Sequence, residues 1–107
     1  MTLPDFPDGW YQSADVEAEM LGFGADNFCG QFTKKGDTII VLYIYSLYPG
    51  KGNTQRFLQG LVDMGWTVVV VKPNEVMMHI CRKLGFTKYE ECVEGYYSDC
   101  PVVVCKH

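Results

Sequence analysis

Thr38 to Tyr45 and Thr67 to Val71 are runs of β-branched, aliphatic and aromatic residues with no charge inside them. Both read as strands. Neither alternates apolar with polar residues, so both read as central strands covered on two faces. Between them the pattern changes. Pro49-Gly50-Lys51-Gly52 breaks it, and from Thr54 to about Met64 the apolar residues recur at helical spacing. Phe57, Leu58, Leu61 and Val62 share one face of that helix, and Gly65 ends it. Strand, glycine loop, helix and strand in this order make a parallel pair joined by a right-handed crossover. The chain is therefore placed in the α/β class.

The flanks extend the pattern. Pro73 closes the second run, Asn74 is a good helix cap, and Glu75 to Leu84 forms the next helix. Val76, Met77, Ile80, Cys81 and Leu84 are its inward residues; Gly85 stops it and Phe86 packs back. Strands are predicted at Thr87–Val93 and Val102–Lys106, and a short one at Phe28–Thr33 before the charged turn Lys34-Lys35-Gly36-Asp37. A short helix from Asp15 to Leu21 has Ser13 or Asp15 as its cap and Val16, Met20 and Leu21 as its buried stripe. Residues 1–13, with Pro4, Pro7 and Asp8-Gly9, read as an irregular arm pinned by Phe6, Trp10 and Tyr11. All 107 residues are expected to form one domain.

Charge and cysteine content narrow the function. Nine basic and 13 acidic residues leave a net charge of -4, and the longest basic run is Lys34-Lys35. This gives no general attraction to nucleic acid or to an anionic membrane. No stretch approaches the ~18 apolar residues of a membrane-spanning helix. Met1 to Trp10 holds two acids, two prolines and no basic residue, unlike a secretion signal. The five cysteines, Cys29, Cys81, Cys92, Cys100 and Cys105, are odd in number and contain no CxxC pair. They read as small buried hydrophobes in a reducing, cytoplasmic setting, with no metal site.

The segment Tyr48-Pro49-Gly50-Lys51-Gly52-Asn53-Thr54 lies between a buried strand and a helix. Glycines there let the backbone turn tightly and approach a ligand. The free amides of the following helix can bind an anion, Lys51 adds a point charge and Thr54 a hydroxyl. It lacks the spacing of a P-loop and the third glycine of a dinucleotide fingerprint. The plain alternative is a tight strand-to-helix turn with a solvated lysine.

At these residues the chain resembles the GNAT N-acetyltransferase superfamily. The family pattern is an apolar strand, then Arg/Gln-x-x-Gly-x-Gly/Ala opening a helix; here the strand end is Leu42-Tyr43-Ile44 and the loop is Pro49 to Thr54. Its second signal is an Asn after the next strand and a helix ending in Gly-Phe. Asn74 and Arg82-Lys83-Leu84-Gly85-Phe86 match it. The match covers Thr38 to Phe86, with weaker agreement in element order from Phe28 onward. The resemblance implies a GNAT-like mixed central sheet with a splayed parallel strand pair and flanking helices, truncated at the N-terminus. It implies acetyl-CoA as co-substrate, lying in the splay. The pantetheine would pair with backbone near Leu42, Tyr43 and Ile44, and the pyrophosphate would rest on Gly50, Lys51, Gly52, Asn53 and Thr54. Asn74 would face the cofactor arm.

Three positions depart from the family. Pro49 stands at the Arg/Gln, Thr54 at the last Gly/Ala, and Cys81 where a helix tyrosine often protonates the leaving thiolate. There is room for one N-terminal helix where the family has two, which leaves the acceptor wall open or completed by a partner, including a second copy. The implied reaction is direct acetyl transfer to a primary amine. Tyr43, Tyr45 and Cys81 are the catalytic candidates; the two phenols share a strand face, and packing is the alternative role for all three. Asp37 reads first as a turn residue, and His79 as a helix-surface residue. Tyr96, Tyr97 and Asp99, with Glu90, Glu91 and Glu94, make the C-terminal third acidic, which suits a cationic acceptor or simply a solvated surface. The rival reading is a GNAT-like protein that binds CoA or a protein partner without efficient catalysis.

Overall fold

The computed structural model describes residues 6–48, 50–93 and 97–107, the last stretch with side chains from residue 100. Six strands form one mixed sheet in the order β1-β2-β3-β4-β6-β5. They are β1 (Gly9–Gln12), β2 (Phe28–Lys35), β3 (Thr38–Ser46), β4 (Thr67–Val71), β5 (Thr87–Val93) and β6 (Tyr97–Lys106). Among the described residues three helices accompany them: α1 (Val16–Met20), α2 (Asn53–Met64) and α3 (Glu75–Lys83). β3 and β4 are the parallel pair, as the two apolar runs predicted, and the other neighbours are antiparallel. The architecture is a small α/β domain, loosely GNAT-like in topology.

The main core lies on the helix side of the sheet. Ala18 and Leu21 from the α1 region, Phe57, Leu58 and Leu61 from α2, and Met77 and Cys81 from α3 pack there. They meet Phe32, Ile39, Val41, Val68 and Val70 of the strands. A smaller cluster on the opposite face joins Val71, Val93 and Val104 with Ile40, Leu42, Val69 and Val102. Among the described residues no helical side chain belongs to this second cluster.

Several expectations are corrected. Residues 9–12 are not an irregular arm but an edge strand, paired from Gly9↔Lys34 to Gln12↔Gln31. Phe6 and Tyr11 do pin it: Tyr11 stacks on Phe32 at 5.4 Å and meets Phe6 edge-on at 5.2 Å. Trp10 does not, because it points to the other face and is 52% exposed. Lys34, expected in a charged turn, lies in β2 and is only 6% exposed; its Nζ reaches Asp8 Oδ1 at 2.9 Å and lies over the Phe6 ring. Asp15 is the residue flanking α1, but its carboxylate accepts the Gln12 N–H rather than a helix amide. Val16, Met20 and Val76 are exposed, so the inward stripes of α1 and α3 are narrower than predicted. Cys81 and Cys105 are buried as expected, whereas Cys29, Cys92 and Cys100 are exposed. No metal-holding group of His, Cys, Asp and Glu occurs among the described residues. No helix among them is long and apolar enough to cross a membrane.

Candidate functional site

Beyond Val41 the parallel pair comes apart. The β3–β4 ladder runs from Thr38↔Thr67 to Val41↔Val70, while β3 continues to Ser46 alongside β2. The cause is a bulge. Gln31 pairs with Tyr43 and the next residue, Phe32, pairs with Val41, so Leu42 is the extra residue of β3. A bulge bends the strand and changes which face later side chains take. Ile39, Val41 and then Ile44 pack on the helix side, while Ile40 and Leu42 pack on the other. Simple alternation puts Leu42 and Ile44 on one face; the bulge separates them. Tyr43 and Tyr45 do share a face, with ring centroids 5.8 Å apart and exposures of 41% and 61%.

Gly30 of β2 makes this geometry possible. A Cβ there would lie 2.3 Å from the Tyr43 carbonyl oxygen and 2.6 Å from the Phe23 ring. Only glycine permits that approach opposite the bulge.

The opening is a cavity of about 610 Å³, within the ~300–1,000 Å³ usual for small-molecule sites. Leu42 to Ser46 form one wall, Val71 to Asn74 another, and Met77 and Ile80 of α3 contribute an apolar flank. Gly50, Gly52, Asn53 and Thr54 close the end at α2. Gly52 takes the N-cap position in the left-handed region, φ 74°, with no side-chain cap. The first closing bond of α2 is Arg56 N–H to the Gly52 carbonyl, 3.0 Å. By helix geometry the amides of Asn53, Thr54 and Gln55 have no intrahelical acceptor, and the positive helix end adds to their pull on an anion. Asn74 is held differently. Its Oδ1 accepts the Met77 N–H at 2.8 Å as the cap of α3, and the residue also lines the cavity.

Of the residues singled out in the sequence, Leu42, Tyr43, Ile44, Tyr45, Gly50, Gly52, Asn53, Thr54 and Asn74 are brought together around this cavity. Lys51 is exposed and is not among the wall residues. Cys81 is placed elsewhere: it is fully buried in the core, and burial pushes its thiol up to about 12, with the neighbouring Cys105 thiol adding to the shift. Asp37 is an exposed turn residue whose carbonyl accepts the Thr67 N–H at 2.9 Å, and His79 is exposed on α3. Pro49, Glu94 and Tyr96 lie outside the described residues, as do the side chains of Tyr97 and Asp99.

Tyr48, Ser46, Lys72 and Ile80 also line the cavity and were not found from the sequence. Tyr48 had a visible signal, an aromatic residue at the strand-to-loop junction. Lys72 had none: it adopts φ 48°, unusual for a residue other than glycine, as the chain turns out of β4. No protein-family model, no curated protein and no solved structure gives a significant match to this chain. The fold is compatible with CoA- and acyl-binding proteins in general.

Proposed function

We propose that the cleft between β3 and β4 binds acetyl-CoA and that the protein transfers the acetyl group to a primary amine. The observation that carries this reading is the bulge at Leu42, where the parallel ladder stops and one open strand edge leads to the glycine turn and the start of α2. An extended amide-bearing arm fits such an edge by adding to it as a strand would. Leu42, Tyr43 and Ile44 offer their backbone groups to that arm. The turn at Gly50, Lys51, Gly52, Asn53 and Thr54 receives the pyrophosphate, with Lys51 as an outer point charge, and Asn74 offers its NH₂ group from the facing wall.

In the reaction the amine nitrogen bonds to the thioester carbonyl carbon, the carbon–sulfur bond breaks, and the amine's proton ends on the CoA sulfur. A backbone amide near Ile44 polarises the carbonyl oxygen. Tyr43 and Tyr45 are the side chains placed to order water or pass a proton. The burial of Cys81 takes it away from that task, and the same burial supports the second reading, a CoA-binding protein with weak catalysis. Thioester turnover separates the two. Purified protein with acetyl-CoA and a panel of amines, scored by release of free CoA thiol, is expected to show amine-dependent turnover. Turnover should fall at least tenfold in Tyr43→Phe or Tyr45→Phe. Saturable CoA binding with no turnover for any amine would select the second reading.

A further inference from the structure

From Thr38 to Val62 the chain carries Lys51 and Arg56 and no acidic residue, although its net charge is -4. Arg56, in the first turn of α2, folds back over the glycine turn. Its Nη2 donates to Asn53 Oδ1, and a Cβ added at Gly52 would meet its Nη1 at 3.1 Å. A guanidinium donates along more than one edge, so this single bond fixes its place and leaves it able to grip an anion. Beside it lies a second cavity of about 330 Å³. Phe28 and Phe57, both buried and with ring centroids 5.6 Å apart, form its apolar floor. Asn27, Asn53 and Arg56 are its polar wall. Gly60, one turn beyond Arg56, leaves it open, since a Cβ there would meet nothing within 4 Å. Asn53 lines this cavity and the main one, so the two meet at the start of α2.

We propose that Arg56 and this second cavity hold the phosphorylated ribose end of CoA. The inference rests on the acetyl-CoA reading above. In CoA the pyrophosphate joins the pantetheine arm to an adenosine whose ribose carries a phosphate monoester. With the arm along β3 and the pyrophosphate at the glycine turn, the nucleoside continues past the start of α2, where Asn53 leads from one cavity to the other. A monoester carries close to two negative charges at neutral pH, and the planar fork of an arginine matches its oxygens. Among the described residues no carboxylate lines this cavity to oppose it. The apolar floor suits the faces of the base and sugar, and the amides of Asn27 and Asn53 supply donors and acceptors for their polar edges. Pro49 stands where the resembled family has Arg or Gln. Arg56 brings a side-chain donor to the same turn from the helix side.

The test compares CoA with dephospho-CoA, which lacks only that ribose phosphate, by calorimetric titration of the whole chain. CoA is expected to bind roughly tenfold more tightly or better, the value of one charge-assisted contact. In Arg56→Gln the two ligands should bind equally, through loss of affinity for CoA with little change for dephospho-CoA. Arg56 is exposed, so its replacement leaves the fold in place. Arg56→Lys, which keeps the charge but not the fork, should retain part of the difference. Gly60→Leu, which puts a side chain into the cavity, should weaken both ligands. Arg82→Gln, in the last turn of α3, should change neither. Equal binding of CoA and dephospho-CoA to the unaltered protein overturns the proposal and leaves the cleft reading standing. So does an Arg56→Gln variant that loses both ligands alike, which assigns Arg56 to the part they share. A Gly60→Leu variant that binds both as before, or an Arg82→Gln variant that also erases the difference, counts against it equally. Binding of neither ligand removes the cleft reading itself, and this inference with it.

Discussion

Gly30 shows how much a single residue decides here. It faces the bulge across β2 and β3, and a methyl group there has the Tyr43 carbonyl in its way rather than a movable side-chain tip. Gly30→Ala is therefore expected to destabilise the fold by about 3 kcal/mol, the upper end for overpacking, and to shift the β3 edge that walls the cleft. Chemical denaturation measures the first effect. The cysteines give a second prediction at this scale. Cys29, Cys92 and Cys100 should react promptly with a thiol reagent in the native protein, and Cys81 and Cys105 only after unfolding. A count of five fast thiols would contradict the burial described. The pH dependence follows with its sign. The Cys81 thiol is raised from 9.0 to about 12 in the fold, so its contribution to stability is complete below about pH 9 and is lost as the pH rises toward 12. The fall in Tm between pH 9 and pH 11 should be shallower in Cys81→Ala than in the unaltered chain.

At the scale of elements, the parallel pair and both long helices were legible because long-range packing agrees there with local pattern. Thr67–Val71 is apolar throughout, Gly65 and Gly85 end the helices in the left-handed region, and Asn74 caps α3 as its position suggested. What the sequence hid depends on pairing. β1 is four residues with no period of its own, and it is a strand because β2 offers an edge and Lys34 reaches Asp8. The Leu42 bulge leaves no mark in the composition of β3; it exists because Gly30 lets β2 come close. Of the candidate site, the glycine turn and Asn74 could be read ahead, since turns and caps are local chemistry. Lys72 and Ile80 could not, since only the folded sheet brings them to the same cleft. The cap has a measurable value. Asn74→Ala should cost about 1 kcal/mol of stability, and on the proposed reading it should also weaken CoA binding, whereas Asn74→Asp should keep the cap and still lose the NH₂ donor.

For the molecule as a whole, three helices on one side of the sheet concentrate stability there and leave the cleft and the bare face on thinner support. Leu61→Ala, on α2 in the main core, should cost about 2–5 kcal/mol. The central claim concerns the cleft, and the most direct test is calorimetric titration with acetyl-CoA, with CoA and ADP alongside. One-site saturable binding is expected for acetyl-CoA and CoA. ADP should bind more weakly because it lacks the arm that pairs with β3, and Gly52→Asp, which puts a carboxylate at the start of α2, should weaken all three. No heat of binding at ligand concentrations up to ~1 mM, where even a Kd of that size gives measurable occupancy, would contradict the account.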